Sequence, residues 1–212
     1  MSGRIAEQTV EAYLRGLASD DPTPGGGAVA ALSGATGAAL ISMVCNLTIG
    51  KEAYEDAQER MRWMLEEAET ARTEFLDLAD RDATAFDGVM AAFKMPKETD
   101  EEKAARSAAI QAGYLAAASV PQEVARKAVD LMELAEDATA MGNPQAASDG
   151  LSSAASLYAA AMCAIANVEI NAASLKDEGV RTAMLEELIT LKARADELLE
   201  EAQTAFKLRL KP

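Results

Sequence analysis

The chemistry open to this chain is narrowed first by an omission: its 212 residues include no histidine. A histidine-dependent triad is therefore excluded within the chain, and two separated cysteines, Cys45 and Cys163, cannot supply an ordinary structural zinc site. Proton transfer near neutral pH must fall to carboxylates, lysines, tyrosines, cysteines or bound water, tuned by their surroundings. A carboxylate in apolar company is thus the group to look for. Phe75, Ala79, Asp82, Phe86, Val89 and Phe93 advance by steps of four and three, so they share one helix face and Asp82 lies inside an apolar stripe. Desolvated there, it becomes a candidate general base; the alternative is a carboxylate at the stripe's edge, reaching water or a neighbouring cation. Asp149, beside Ser148 and just ahead of a long uncharged run, is the second candidate. Its alternative role is a favourable interaction with a helix dipole.

Asn167 and Asn171 are four apart and project from one side of a helix. Their amides can orient a heterocycle's donors and acceptors, or simply bond neighbouring helices. Gly25, Gly26 and Gly27 precede an apolar helix, where they either permit a close approach and a sharp turn or frame an anion site at the helix N-terminus. The triplet lacks the Lys-Ser or Lys-Thr ending of a Walker loop, and no strand pattern precedes it. Lys51, Lys94, Lys97, Lys103 and Arg106 fall near predicted helix ends. They are solvated end charges or, in an otherwise acidic protein, a local anion-binding patch.

The elements that must carry these groups are helices. Half the residues are apolar but only 4% are aromatic, and alanine dominates many stretches, which favours closely packed helices over a sandwich or barrel. A first helix is predicted from about Ile5 to Ala18, with Val10, Leu14 and Leu17 on one side. Ser19 to Gly27 breaks it, and a second, uncharged helix runs to about Gly50, with Ser33, Gly37 and Ala38 small enough to admit another backbone. That stretch is weakly hydrophobic for a membrane span and reads as a central helix wrapped by others. A long third helix is predicted over Glu52 to Phe93, and a fourth from Asp100 toward Ala138, kinked or divided at Pro121. Gly142-Asn143-Pro144 separates it from a fifth helix reaching Ala173. The last helix, Asp177 to Leu210, repeats Leu188, Leu191, Ala195, Leu198 and Ala202, and either covers the bundle or meets another subunit. No repeat, low-complexity tail or linker divides the chain. The expectation is a single all-α domain over residues 1–212, an elongated antiparallel bundle. The formal net charge of −15 argues against nucleic acid or an anionic membrane as partner. The absence of a secretory apolar core at the N-terminus, with thiols in uncharged stretches, points to the cytoplasm.

Taken in order, these pieces resemble the formiminotransferase-cyclodeaminase and methenyltetrahydrofolate cyclohydrolase family. Asp21-Pro22-Thr23-Pro24-Gly25-Gly26-Gly27, then an alanine-rich helix ending in Asn46-Leu47-Thr48 and Lys51, is similar to the family's opening. Asp82-Ala83 through Ala85-Phe86, Lys94-Met95-Pro96-Lys97, Pro121, Asn143-Pro144, Ser148-Asp149 and Asn167 to Asn171 resemble its later motifs. Ala28 stands where the family commonly has serine, and Met95 where it commonly has leucine. The resemblance spans nearly the whole chain. It implies an all-helical homodimer with a folate cleft near the subunit interface, no metal or redox cofactor, and a tetrahydrofolate derivative as substrate.

Two reactions suit such a site. A cyclohydrolase adds water to methenyltetrahydrofolate and opens it to formyltetrahydrofolate; a cyclodeaminase closes formiminotetrahydrofolate and expels ammonia. The first is preferred. Under the resemblance, Asp82 is the first choice of catalytic carboxylate and Asp149 the second. Gly25 to Gly27, Asn46, Asn143, Ser148, Asn167 and Asn171 belong to substrate binding, and Lys51, Lys94 or Lys97 meets the folate's glutamate carboxylates. A noncatalytic helical scaffold or binding protein is the contrasting reading.

Overall fold

The computed structural model describes residues 4–210, so the first residues on which the no-leader expectation rests lie outside it. Among the described residues there is no strand. Six α-helices follow one another: α1 (Val10–Leu17), α2 (Gly26–Thr48), α3 (Gln58–Phe93), α4 (Asp100–Met141), α5 (Ala147–Ala172) and α6 (Glu178–Arg209). Short 3-10 turns sit at Ile5–Glu7, Glu52–Ala57 and Pro144–Ala146. With α4 about 63 Å long at the α-helical rise, the bundle is elongated.

Helix starts follow local chemistry. Thr9 and Asp177 accept backbone N–H groups of Ala12 and Val180, and Thr99 forms a reciprocal capping box with Glu102. Asn143 caps the turn into α5 by accepting the Gln145 N–H, with Pro144 at its first position. Gly142 ends α4 with φ of −70°, so it is not needed for a left-handed cap. It is needed for space, since a Cβ there would come within 2.5 Å of the Ala138 carbonyl and of Val44.

α2 is the central helix, packed on α3, α5 and α4, and α4 is in turn flanked by α3, α5 and α6. Small residues set these approaches. A Cβ on Gly34 would collide with the Phe75 ring and one on Gly37 with Leu157, while Ser153 donates to the Gly37 carbonyl at 2.8 Å. Gly37 and Ala38 are buried as expected, whereas Ser33 is half-exposed and Gly34 takes its place at the contact. One contiguous core links α2 to α6; Leu188, Ala195, Leu198 and Ala202 join it, so α6 covers the bundle. Two helical stretches, Gly26–Thr48 and Pro144–Ala172, are long and apolar enough to cross a membrane by composition, and both pack into this core.

Three expectations need correction. The first helix is not continuous from Ile5: a 3-10 turn precedes α1, and Val10 and Leu14, 76% and 53% exposed, do not form a buried face. The stretch after Gly50 begins as a 3-10 turn, so α3 starts only at Gln58. Pro121 does not divide α4, because the carbonyl its missing N–H frees, that of Ala117, accepts the side-chain amide of Asn171 on α5 at 3.0 Å. Of the two thiols, only Cys45 is fully buried, which pushes it up to about 11.

Candidate active site

α3 carries Asp82 against the N-terminus of α2. The fit is made by absent side chains: a Cβ on Gly27 would lie 2.0 Å from one Asp82 carboxylate oxygen and 2.5 Å from the other. A Cβ on Gly26 would lie 3.0 Å from the Asn167 amide nitrogen. Burial pushes the Asp82 pKa up, and the polar backbone N–H of Ala28, in the first turn of α2, opposes that rise without cancelling it. The anion that this helix N-terminus attracts is therefore the protein's own carboxylate. With its charged form disfavoured by desolvation, a carboxylate in this position can take up a proton and return it.

Around Asp82 is a cavity of about 350 Å³ lined by the Pro22–Gly27 loop, Phe86, Tyr114, Asn167, Asn171 and Ser174, among others. Asn167 donates its amide to the Cys163 carbonyl at 2.8 Å, and Asn171 donates to the carbonyls of Ala117 and Asn167 at 3.0 and 2.9 Å. These bonds fix both amides at the cavity wall. Phe86 and Tyr114 add flat apolar surface, and Tyr114 meets Phe93 edge to face at 6.2 Å. Beyond Phe93 lies Arg106, whose guanidinium stacks over that ring at 5.6 Å and donates to the Phe93 carbonyl at 3.0 Å.

Arg106 opens a second cleft, about 400 Å³, lined by Lys97, Lys103, Ser107, Gln111 and Lys176 as well. The two spaces share a divider: Gln111 donates to the Ser174 carbonyl at 3.1 Å and accepts the Lys176 N–H at 2.7 Å. A small aromatic cavity thus runs beside a cationic one, in a protein of net charge −15. The larger cleft near α6, about 640 Å³, is lined by Glu136, Glu197, Glu200 and Glu201 with Arg209 among them, and is predominantly acidic.

The structure brings together Gly25, Gly26, Gly27, Asp82, Asn167 and Asn171, with Lys97 in the adjoining cleft. Lys94 is exposed at the C-terminus of α3 and does not line that cleft. Asn46, Lys51, Asn143, Ser148 and Asp149 lie at the opposite end of α2 and α5. Asp149 is about 27 Å from Asn167 along the helix axis. There Asn143 is occupied structurally: it donates to Leu47 at 3.3 Å, receives Tyr54 at 3.2 Å, and its backbone N–H bonds Thr48 at 2.9 Å. Tyr114, Gln111 and Lys176 were not foreseen. Tyr114, Ala117 and Pro121 share a helix face by spacing, which is the one signal that pointed to the first of them.

A family profile described as formiminotransferase-cyclodeaminase matches residues 9–190. The chain belongs to this family. It is 43% identical over 203 residues to a methenyltetrahydrofolate cyclohydrolase of Methylorubrum extorquens, covering 96% of this chain and 98% of that protein. It is 32% identical over 206 residues to a formimidoyltransferase-cyclodeaminase of Sus scrofa, of which it spans only 37%. A crystal structure of a formiminotetrahydrofolate cyclodeaminase from Thermotoga maritima superposes with a TM-score of 0.87 at 33% identity, covering 98% of this chain and all of that one. The Gly25–Gly27 loop and Asp82 line one cavity, and the fold explains why: the loop's missing side chains make room for the carboxylate.

Proposed function

We propose that the chain is a methenyltetrahydrofolate cyclohydrolase, adding water to the one-carbon bridge of methenyltetrahydrofolate and opening it to formyltetrahydrofolate. The observation that carries this reading is the desolvated Asp82 carboxylate beside an aromatic, amide-lined cavity that adjoins a cationic cleft. Asp82 takes a proton from the attacking water as the C–O bond forms, and balances the cationic one-carbon unit. It then returns the proton to the nitrogen whose C–N bond breaks. Asn167 and Asn171 orient the pterin, and Phe86 and Tyr114 flank it. Nothing in these steps calls on a metal or a redox cofactor. The higher identity to a cyclohydrolase, 43% against 33% for the cyclodeaminase of matching length, favours hydrolysis over ring closure with loss of ammonia. The purified protein offered methenyl- and formimino-tetrahydrofolate separately is expected to consume the first, seen as loss of methenyl absorbance. Ammonia release from the second at a higher rate would reverse the assignment, and turnover of neither would leave a scaffold.

The cationic cleft receives the folate's glutamate tail. Lys97 stays in this role, and Lys103, Arg106 and Lys176 replace Lys51 and Lys94 as its partners. Neutralising Lys97, Lys103 and Lys176 together is expected to raise KM several-fold more for polyglutamylated than for monoglutamylated substrate, and less so at high salt. Lys51→Gln serves as the remote control. Equal losses for both substrates would remove the tail from this cleft.

A second copy is the proposed partner, and the enzyme is placed in the cytoplasm, without nucleic acid or membrane. Thr36, Ala39 and Met43 on α2 and Ser152, Ala155 and Ala159 on α5 are exposed, in stretches carrying no charge. Two helices about 35 Å long and together about 20 Å wide offer nearly the 800 Å² per partner of a standard interface. On a chain of net charge −15, this is the face that a like-charged copy can approach without repulsion. The solution mass is expected to be that of a dimer.

A further inference from the structure

The turn between α5 and α6 belongs to both spaces. Ser174 lines the cavity around Asp82, and Lys176, two residues on, lines the cationic cleft. Leu175 between them is buried and anchors the turn in the core. Its N–H bonds the Ala172 carbonyl at 3.0 Å, and its own carbonyl receives Arg181 at 2.9 Å. On either side of that anchor, the Ser174 carbonyl and the Lys176 N–H have no backbone partner among the described residues.

One side chain serves both. Gln111 on α4 donates its amide N–H to the Ser174 carbonyl at 3.1 Å and accepts the Lys176 N–H at 2.7 Å. The two bonds use opposite ends of the amide, so they fix its orientation together with that of the turn. Lys176 is tied at its tip as well, its ammonium donating at 3.0 Å to the Ser107 hydroxyl, one helical turn before Gln111. An ammonium carries three N–H donors, and two are left for an anion. Lys103, Ser107, Gln111 and Tyr114 advance by four, four and three, so one stripe of α4 runs from the cationic cleft to the wall of the catalytic cavity. Gln111 stands where the two meet.

We propose that Gln111 is a positioning residue that sets the preference for an acidic tail: through the α5–α6 turn it holds the Lys176 ammonium in the cationic cleft, in register with the cavity where the one-carbon unit reacts. This rests on the placing of the glutamate tail in that cleft. Gln111 is uncharged and does no chemistry, and its effect lies in where it keeps a charge. A turn released from it keeps Leu175 in the core but lets Lys176 swing into solvent. There the charge is screened, and ordering the side chain again costs part of the binding energy.

The test compares wild type, Gln111→Met, Lys176→Gln and the double variant on polyglutamylated and monoglutamylated methenyltetrahydrofolate, the preference being the ratio of the two kcat/KM values. Methionine has nearly the length of glutamine but makes neither bond. Each single variant is expected to lower the preference about three- to tenfold, and the double variant no further than Lys176→Gln alone, because a clamp acting through Lys176 then has nothing to hold. On the monoglutamate, kcat should stay within about twofold, since Asp82 and the amides of α5 are untouched. If Gln111→Met keeps the wild-type preference while Lys176→Gln loses it, the positioning role is overturned and the tail stays in the cleft. Losses that multiply in the double variant, or that fall equally on both substrates, make Gln111 independent of Lys176 and also overturn it. A preference untouched by Lys176→Gln overturns it too; one that also survives neutralising Lys97, Lys103 and Lys176 together takes the tail out of the cleft as well.

Discussion

Asp82→Asn is expected to lower the hydrolytic rate by about a hundred- to ten-thousandfold, the usual worth of a general acid–base group, while folate binding is largely kept. The amide preserves size, but it cannot take a proton. The stability of the same variant provides a second reading. Burial raises the folded-state pKa of Asp82 above its ordinary 3.8, so the folded protein holds this proton more readily than the unfolded chain does. The resulting penalty on the ionised form is absent below 3.8 and complete once the pH has passed the raised value. Asp82→Asn, which never ionises, should therefore be more stable than wild type at neutral pH. The difference should close as the pH falls toward 4. Activity should show the mirror image, with an acid limb displaced upward from the ordinary value for an aspartate. A variant that retains near-normal turnover would reduce Asp82 to a structural carboxylate. Asp149→Asn in parallel locates the rest of the chemistry. A rate near wild type leaves proton transfer at the Asp82 end alone, whereas a large loss means that the far end of a partner protomer reaches the site.

Gly27→Ala should be nearly as damaging, although it adds one methyl group. The new Cβ would stand 2.0 to 2.5 Å from all three carboxyl atoms of Asp82, so the carboxylate must swing away or the first turn of α2 must retreat. Displacements of about 1 Å at a reacting group cost on the order of a hundredfold in rate, and overpacking of this kind costs about 1–3 kcal/mol of stability. Loss of kcat by at least that factor, with a lowered Tm, is the expected result. The neighbouring glycines grade the effect. Gly26→Ala meets the tip of the Asn167 side chain at 3.0 Å and should be milder; Gly25→Ala has ordinary clearance of 3.4 Å from the Pro22 carbonyl and should be tolerated best. If Gly27→Ala turned over like wild type, the carboxylate's docking on that backbone would have no part in catalysis.

The all-helical class, the central place of the uncharged Gly26–Thr48 segment and the position of Asp82 on a helix face turned toward its neighbours were legible in the chain itself. Periodicity and charge are local properties: a stripe repeating every three to four residues names a helix face, and a carboxylate within it declares that it will be desolvated wherever the face is buried. The ordered motifs likewise carried the family. The partners were not legible in this way. Whether Asp82 meets Gly27 or Asp149 depends on which end of an antiparallel pair each helix presents, and residues far apart along α5 look equally close to a motif when only their order is known. The tertiary structure decided that Lys97, Lys103, Arg106 and Lys176 share one cleft while Lys51 lies at the other end. It decided as well that Pro121 frees a carbonyl for Asn171 instead of dividing α4. Such pairings are contacts between elements, set by the small side chains that let backbones approach, and they have no period along the chain from which to read them.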